Sequence, residues 1–581
     1  MEGSDPYLHR EMKGKKMLKK RWIIAGLVVI ILLAVVIGLA VGLKRRKGSD
    51  LGAVSKTIQS LCNSTSYPDT CIASLSAFPG SSIASPTRLV GIAMNIAHQG
   101  ANSSLHLVER LLDSEHNETI KAALKDCLEN LADSIDQINV SLSHFSSLSL
   151  KNLLDTFKEI RTSLSSALTF QTTCIEDVFA GINGRAGDEI SKDGHYVKQL
   201  VSNALGLSTI LSSLQDELSK WKNRIPFRRL LSGHNDVDVV YFDDHEAFPE
   251  WLSLGSRKLL QANTTTVPNV TVAQDGTGQF LRIQDAVNAA ANTGSSFYII
   301  SIKAGIYTES ISIPKTAKNV MFVGDGVGKT IITGNKSVVG SGVSTFDTAT
   351  LAVKGNGFFA RDLTIENTAG PEMHQAVAVR VSADLAVFYK CSLAGYQDTL
   401  YTHTLRQFYK ECTISGTVDF IFGNSAAVFQ QCTLVALVPL PGQQNTITAQ
   451  GRVDKFQNTG LSFHGCNVVG AKDLQSAIKD YPTFLGRPWK EYSRTVFLFS
   501  NISDILDPAG WLQWNGTPFA LQTLFYGEYM NTGDGAASEK RVNWSTSMNE
   551  KQAEQFTVNS FLDGTKWLPA TRVSFTSDLT S

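Results

Sequence analysis

The sequence predicts a multidomain chain in which an all-α region precedes an all-β solenoid of stacked parallel strands. Residues 51–222 contain long stretches rich in Leu, Ile and Ala with helical spacing, such as 119–148 and 150–177. From residue 269 onward, glycine is frequent and short β-branched or aromatic runs recur. Within this second part, cysteines that follow an aromatic residue return at spacings of 21, 20 and 34 residues, which is typical of the coils of a parallel β-helix.

The composition is that of a folded protein with an uneven distribution of charge. Of 581 residues, 43% are hydrophobic and 18% are charged, which excludes a disordered chain. The 53 basic and 53 acidic side chains cancel, so net charge gives no indication of nucleic-acid binding. Residues 1–50 nevertheless hold 11 basic and 4 acidic side chains, a net charge of +7 that the rest of the chain balances with −7.

The basic excess flanks an apolar run. Residues 22–43 contain no charged side chain, and as a helix they would extend about 33 Å, enough to cross a bilayer core. The run is longer than the apolar part of a cleavable signal peptide. Seven basic residues precede it and four follow it. We therefore expect residues 1–21 to be a cytoplasmic basic tail, residues 22–43 a transmembrane signal-anchor, and the remainder to be translocated.

The remainder has the sequence features of a secreted glycoprotein. Ten Asn-x-Ser/Thr sequons and all eight cysteines follow the apolar run. Four cysteines lie in the helical region 51–222, and they lack the spacing of a zinc site, which favours disulfide bonds.

Three segments of the helical region carry a family resemblance: CNSTSYPDTC (62–71), AALKDCLEN (122–130) and SSALTFQTTCIEDVF (165–179). On these segments, the region resembles the plant invertase/pectin methylesterase inhibitor family. The resemblance implies a four-helix-bundle pro-region in which Cys62 pairs with Cys71 and Cys127 pairs with Cys174. The alternative is a generic helical bundle that acts as a folding spacer.

Residues 223–268 are predicted to be a linker. RIPFRRLL (224–231) and RKLL (257–260) enclose an acidic stretch. Basic pairs in an extended polar segment are sites where a processing protease can bind. The alternative is a solvated charged linker with no processing site.

The repeat in residues 269–581 predicts how the coils stack. AVFYKCSL (386–393), RQFYKECTI (406–414), AVFQQCTL (427–434) and LSFHGCNV (461–468) align, and FFARDLTI (358–365) aligns with Asp362 in the cysteine position. Stacking is expected to place Cys391, Cys412, Cys432 and Cys466 in an inward ladder, either as disulfides or as small buried hydrophobic residues.

Two aspartates stand out as candidate catalytic residues. Asp398 in GYQDTLY and Asp419 in GTVDFIFGN are 21 residues apart, which matches the step from Cys391 to Cys412. We therefore expect them to stack as neighbours on one face of the solenoid. Each lies among apolar residues, where a carboxyl group must be paired or have a raised pKa. Two such groups can divide acid, base and nucleophile roles.

Several other chemistries lack their motifs. The chain has no GxSxG serine elbow and no HExxH zinc motif. GDGVGKT (324–330) departs from a phosphate-binding loop and is interpreted as a β-turn. Paired carboxylates also serve glycoside hydrolysis, so a β-helix glycosidase or lyase is the rival enzyme class.

Residues 269–581 resemble plant pectin methylesterases over essentially their whole length. The departures are Asp534, where proline is usual, and Leu512-Gln513 within the GWxxW segment. The segments that carry the resemblance are VTVAQDGTGQF, KAGIYTESI, STFDTAT (344–350), ENTAGPEMHQAVAVR (366–380), GYQDTLY (395–401), GTVDFIFGN (416–424), LGRPWKEYSRTV (485–496) and FYGEYMNTGDGA (525–536).

The resemblance implies a right-handed parallel β-helix that hydrolyses C6 methyl esters of homogalacturonan, with cell-wall modification as its role. It assigns Asp419 as nucleophile and Asp398 as proton donor and acceptor. Gln397, with Gln375, would stabilise the oxyanion of the transition state. Arg487 would orient Asp419 and stabilise its charge.

The resemblance also implies the binding partners. Thr345, Gln375, Arg487 and Trp489 would contact the substrate, and no cofactor or metal is implied. The expected partners are methylated pectin, proteinaceous pectinesterase inhibitors, a processing protease at the linker and, through the signal-anchor, the membrane. We expect a zymogen that passes through the secretory pathway and matures in the cell wall. The non-enzymatic rival is an inhibitor or wall-binding protein in which residues 51–222 act on another esterase.

Overall fold

The computed structural model describes residues 55–148, 153–178, 185–224, 267–290 and 297–579. The predicted basic tail (1–21), signal-anchor (22–43) and nearly all of the linker lie outside the described residues. In the ranges that are described, no helix is long and apolar enough to cross a membrane. The described residues from 56 onward belong to one structural unit.

The N-terminal part of the described chain is helical, and its helices begin where the sequence provides caps. Pro86 starts one long helix after Ser85, whose side chain accepts a hydrogen bond from the amide of Arg88. Asn117 caps the next helix in the same way. The helices are α1 (Lys56–Cys62), α2 (Pro68–Ala77), α3 (Pro86–Ser114), α4 (Glu118–Ser146), α5 (Leu153–Thr172), which continues as a π-helical turn (Thr173–Val178), and α6 (Arg185–Arg224).

The four long helices form the bundle. Helix α4 packs against α3 and α5, and α6 closes the ring against α3 and α5. Their Leu, Ile, Val and Ala side chains form one buried core. The disulfide Cys62–Cys71 joins α1 to α2, and Cys127–Cys174 joins α4 to the π-helical turn. Both pairings agree with those implied by the inhibitor-family resemblance.

The rest of the chain consists of short strands with a few short helices. The helices are α7 (Ile283–Ala290), α8 (Val338–Ser341), α9 (Lys472–Gln475), α10 (Glu550–Ala553) and α11 (Val558–Leu562). In chain order the strands are β1 (Val270–Val272), β2 (Tyr298–Ile302), β3 (Gly305–Thr308), β4 (Ile311–Ile313), β5 (Val320–Gly324), β6 (Thr330–Gly334), β7 (Leu351–Val353), β8 (Phe359–Arg361), β9 (Thr364–Asn367), β10 (Val379–Val381), β11 (Ala386–Tyr389), β12 (Ser392–Ala394), β13 (Leu400–Tyr401), β14 (Arg406–Lys410), β15 (Thr413–Gly416), β16 (Ile421–Gly423), β17 (Ala426–Gln430), β18 (Thr433–Ala436), β19 (Asn445–Gln450), β20 (Gly460–His464), β21 (Asn467–Gly470), β22 (Thr483–Gly486), β23 (Arg494–Leu498), β24 (Asn501–Ile502), β25 (Phe525–Tyr529) and β26 (Thr546–Ser547).

These strands form three parallel sheets of a solenoid. The first sheet has the order β1-β2-β5-β8-β11-β14-β17-β20-β23-β25-β26, the second β24-β21-β18-β15-β12-β9-β6-β3, and the third β22-β19-β16-β13-β10-β7-β4. Each coil visits the first, second and third sheets in turn, as β8, β9 and β10 do. The predicted fold class, a helical bundle followed by a parallel β-helix, is confirmed.

The sequence repeat corresponds to a strand of the first sheet, a turn and a strand of the second sheet. The prediction that Asp362 takes the cysteine position is wrong. Arg361 pairs with Tyr389, so Leu363, which is fully buried, lies in register with Cys391. Asp362 has φ 56°, like the residue before each cysteine of the repeat, so it forms the turn and points away from the core.

The cysteine ladder is buried and unpaired. Cys391, Cys412, Cys432 and Cys466 are free thiols in the structure, which resolves the two alternatives in favour of small core residues. Beside them, the rings of Tyr409, Phe429, Phe463 and Phe497 stack from coil to coil, with centroids 4.5–4.6 Å apart. This stack repeats at the spacing of the strands themselves.

Candidate active site

The two candidate aspartates are neighbours on adjacent coils, and each lies two residues before a strand of the third sheet. Leu400 in β13 pairs with Ile421 in β16, so Asp398 and Asp419 stand in register one strand apart. This is the arrangement that the 21-residue spacing predicts. Both residues have left-handed backbone, with φ 64° for Asp398 and φ 51° for Asp419. Such strain in a non-glycine residue is typical of sites where a side chain must be aimed.

Asp419 is held by three hydrogen bonds to its carboxylate. Arg487 donates from Nε to Oδ1 at 2.8 Å and from a terminal nitrogen to Oδ2 at 2.7 Å, which is a two-pronged guanidinium contact. Thr446 donates from Oγ1 to Oδ1 at 2.6 Å and accepts a hydrogen bond from the amide of Asp419. Burial lowers the pKa of Arg487, but the charge and hydrogen bonds of Asp419, together with the charges of Asp398 and Tyr526, outweigh burial and raise that pKa. Asp419 is thus the paired, ionised carboxylate of the site.

Asp398 has the opposite environment. Its side chain is buried, and among the described residues no group donates a hydrogen bond to its carboxyl oxygens. Burial raises its pKa well above the ordinary value for an aspartate, and the negative charge of Asp419 raises it further, while Arg487 opposes the shift. The site therefore places a carboxylate that is ion-paired with Arg487 beside a carboxyl group whose surroundings favour its protonated form, an arrangement suited to nucleophilic attack followed by proton donation.

Two glutamines provide amide donors beside the aspartates. Their backbones are fixed: the carbonyl of Gln397 accepts a hydrogen bond from Ala376, and that of Gln375 accepts one from Val338. Both side chains are half-buried and line the cleft that contains Asp398. Within the described part of the chain neither side-chain amide has a partner, so both N–H groups are available to an oxyanion in the cleft.

Aromatic rings form the wall beside the carboxylates. Tyr401 and Phe422 stack with centroids 4.3 Å apart, and Trp489 meets Phe422 edge-on at 5.9 Å. Gly451 permits this packing, because a Cβ atom there would lie 2.7 Å from the indole of Trp489. The wall offers apolar ring faces to a sugar unit.

All seven residues predicted to act on the substrate line one cleft of about 380 Å³. They are Thr345, Gln375, Gln397, Asp398, Asp419, Arg487 and Trp489. The disulfide cysteines lie in the helical bundle and do not line this cleft. No group of three or more His, Cys, Asp or Glu side chains in the described ranges is arranged to hold a metal ion.

The sequence analysis missed two contributors to the site. Trp514 also lines the cleft, and the guanidinium of Arg487 lies 4.6 Å from its ring centroid. Trp514 is the last residue of the GWLQW segment, so the sequence could have indicated it as a site residue through its aromatic side chain and its place in that motif. Thr446 lies in β19 and has no motif of its own. Only the strand register, which places β19 beside β16, shows that it reaches Asp419.

Comparison with known proteins adds the family. Residues 269–565 match the family described as Pectinesterase, and residues 56–207 match the one described as Plant invertase/pectin methylesterase inhibitor. The chain belongs to the pectinesterase family. Both resemblances noted in the sequence are confirmed.

Relatives match nearly the whole chain. The chain is similar to Pectinesterase 3 of Citrus sinensis, at 42% identity over 90% of this chain and 88% of the relative. It is also similar to Pectinesterase/pectinesterase inhibitor U1 of Solanum lycopersicum, at 39% identity over 97% of each. Among solved structures it is similar to a pectin methylesterase from carrot, at 50% identity and a TM-score of 0.54 over 55% of this chain and all of the carrot chain.

Proposed function

We propose that the cleft hydrolyses the C6 methyl esters of homogalacturonan to carboxylates and methanol. The observation that carries the proposal is the contrast between the two stacked aspartates. Asp419 is ion-paired with Arg487, whereas burial raises the pKa of Asp398 well above its ordinary value. One group is thereby suited to attack and the other to donate a proton.

The reaction has two steps. A carboxylate oxygen of Asp419 attacks the ester carbonyl carbon, and the amides of Gln375 and Gln397 donate to the resulting oxyanion. The carbon–methoxy bond then breaks, Asp398 gives its proton to the leaving oxygen, and methanol departs from an acyl–Asp419 anhydride. Water next attacks the acyl carbon and gives a proton to Asp398, which releases the galacturonate and restores both carboxyl groups.

The test is the product formed by residues 269–581 from methylated pectin. Residues 269–581 are expected to fold without the pro-region. The reason is that the carrot protein, all of which aligns with this chain, corresponds to only 55% of it. We expect methanol without new reducing ends or unsaturated sugars. New chain ends without methanol would instead support the rival glycosidase or lyase. A folded protein that yields no product would contradict both.

We also propose that the helical pro-region restrains the enzyme before the linker is cut. Helices α4 and α5 lie along the return turns, which we define as the segments that join the third sheet to the first (314–319, 354–358, 382–385, 402–405, 424–425, 451–459 and 487–493). Glu159 of α5 forms a two-pronged ion pair with Arg406 at 2.9 Å. Phe456 packs against Gly206 of α6, where a Cβ atom would lie 3.0 Å from the ring.

The pro-region contacts the solenoid beside the cleft, and none of its described residues lines the cleft. Asp126 of α4 accepts a hydrogen bond from Ser344, at one edge of the cleft, at 2.8 Å. Thr173 contacts His403 at 2.8 Å behind Tyr401. The disulfide Cys127–Cys174 joins the residues next to these two contacts. The catalytic carboxylates thus stay open to the cleft, while a long polymer would have to pass the bundle.

Docking of the pro-region should weaken as pH rises. The pKa of Asp126 is raised from 3.8 to about 8, chiefly by burial against the solenoid and then by the hydrogen bond and charge of Asp347. The charge of Glu129 raises this pKa slightly further, whereas the hydrogen bond from Ser344 lowers it. The docked state therefore binds the extra proton, so docking is favoured at low pH and loses this contribution as pH rises from about 4 to about 8. Arg380 also faces Asp126, and burial lowers the pKa of Arg380 by more than the surrounding acidic groups raise it.

The measurement uses the full chain after cleavage of its linker. We expect the two parts to dissociate at least about tenfold more readily near pH 8 than near pH 5. Asp126→Asn should flatten this dependence, and Asp113→Asn, at an exposed position on α3, should not. An equal pH dependence in all three proteins would assign the effect to other groups.

The delivery of the protein is proposed from the sequence. The signal-anchor (22–43) would carry it into the secretory pathway with the N-terminus cytoplasmic, and cleavage in the linker (223–268) would release the solenoid (269–581) from the pro-region (51–222) into the cell wall. Accessible glycosylation sites support this route. The exposed sequon residues are Asn63, Asn117, Asn139, Asn269, Asn335, Asn501, Asn515 and Asn543.

A further inference from the structure

Helix α4 carries a stripe of carboxylates on its face toward the solenoid. Asp126, Glu129, Asp133 and Asp136 are spaced by three, four and three residues, which places them on one side of a helix. Successive members are about 4.5–6 Å apart along the helix axis. In sequence alone such a stripe is usually a solvated surface. Here it lies over basic side chains.

The basic side chains come from three consecutive coils. Lys315 follows β4, Lys354 follows β7 and Arg380 lies in β10, and these three strands are neighbours in the third sheet. Their strands lie about 4.8 Å apart, and the three residues form a diagonal row, because Arg380 pairs with Ala352, two residues before Lys354, and Lys315 lies one position beyond the register of Lys354. We call Lys315, Lys354 and Arg380 the basic strip.

Each carboxylate of the stripe meets the basic strip. Glu129 pairs with Lys354 at 2.8 Å, and Asp136 pairs with Lys315 at 2.5 Å. Asp133 contacts both lysines. Arg380 faces Asp126 and Glu129. In the described part of the solenoid neither lysine has an acidic partner, so removal of the pro-region leaves two uncompensated cations.

The basic strip adjoins the catalytic cleft. The guanidinium of Arg380 lies 3.3 Å from the ring centroid of Phe346, whose side chain lines the cleft beside Thr345. On the other side the lysines border an open groove of about 1270 Å³ between the pro-region and the solenoid, which Lys318 also lines. The strip thus extends from Arg380, beside the cleft, to the lysines that border the groove.

We propose that the basic strip is a second binding site, for the de-esterified galacturonate segment that the reaction produces. This proposal rests on the proposed function. The methyl ester is uncharged, whereas the product carries one carboxylate on each sugar unit and so repeats a negative charge along an extended chain. The stripe of α4 occupies the strip in the precursor as a proteinaceous substitute for that polyanion. The whole solenoid has no net basic charge, so its overall charge does not attract the anionic product. The basic strip provides that attraction at one place on the surface.

The test measures affinity for unesterified polygalacturonate. Residues 269–581 should bind it, and Lys315→Ala/Lys354→Ala should bind it about five- to tenfold more weakly, because two partly exposed charge pairs are lost. The full chain, whose strip is covered, should also bind more weakly. Added salt should reduce the affinity of the parent more than that of the variant. Fully methylated pectin should bind the parent and the variant equally.

The matched control is Lys472→Ala/Lys479→Ala, which removes two exposed lysines from the segment after β21 of the second sheet. It should keep the parent's affinity, and unchanged thermal unfolding would show that both variants fold. Equal affinity of parent and Lys315→Ala/Lys354→Ala for polygalacturonate would overturn the proposal. Methanol release by the same parent preparation separates the two claims. If the parent releases methanol but the lysine substitutions do not change its affinity for polygalacturonate, only the binding role of the strip is contradicted. If the parent binds polygalacturonate through the lysines but releases no methanol, only the proposed function is contradicted.

Discussion

Asp419→Asn should reduce methanol release by at least about 10³-fold, because the replacement removes the nucleophile. Asparagine has nearly the same shape, and its amide oxygen can still accept from Arg487 or Thr446, so the cleft should keep its geometry. The amide cannot form the acyl anhydride. The loss should therefore appear in kcat, with little change in KM.

Two measurements make this prediction specific. Mass spectrometry of rapidly quenched enzyme should find an acylated peptide containing residue 419 in the parent and not in the variant. Asp504→Asn, at an exposed aspartate outside the cleft, is the matched control and should release methanol at the parent's rate. Turnover near the parent's level in Asp419→Asn would assign the nucleophile to another group.

The part of the site that the sequence could predict is the part that repeats with the coils. Asp398 and Asp419 are one coil apart, so their spacing sufficed to place them side by side. Arg487 is 68 residues from Asp419, and its position depends on the long segments between β16 and β22. Only the family resemblance indicated it. Neither the coil spacing nor the family resemblance indicated Thr446. A threonine in a predicted strand is expected to serve the sheet and is not by itself a sign of a functional site.

The error at Asp362 has a local cause. From β8 to β24, each coil turns from the first to the second sheet through one residue with positive φ, and the next residue points inward. In the cysteine repeats that turn residue is Lys390, Glu411, Gln431 or Gly465, which share no side-chain chemistry. Aligning by polarity therefore shifted the register by one position. Backbone conformation, which the sequence does not display directly, decides which residue faces the core.

The contact between the two parts of the chain was also beyond the sequence. The stripe on α4 has the spacing of any solvated helix face, and Lys315 and Lys354 belong to no repeat motif. Their pairing arises because α4 runs past the neighbouring coils that carry these lysines. Such a match involves residues about 200 positions apart and appears only once both elements have folded.

Asp398→Asn should slow methanol release by about 10²–10⁴-fold, the usual contribution of a positioned general acid. The pH dependence distinguishes this role from a structural one. In the parent, burial and the charge of Asp419 raise the pKa of Asp398, so the proton donor is present at ordinary pH and is lost as pH rises through that raised pKa. Parent activity should fall on the alkaline side, and the variant's residual activity should lack this fall.

The same substitution should change how stability depends on pH. The folded-state pKa of Asp398 lies above its unfolded value, so this group favours folding at low pH and disfavours it progressively as pH rises toward the folded pKa. Asp398→Asn removes the titration, and its free energy of unfolding should vary less with pH across that range. Asp504→Asn should retain the parent's dependence. The contrary result is a variant that keeps both the alkaline fall in activity and the parent's pH dependence of the free energy of unfolding. Asp398 would then carry its charge at no cost to folding, and the proton donor would have to be another group.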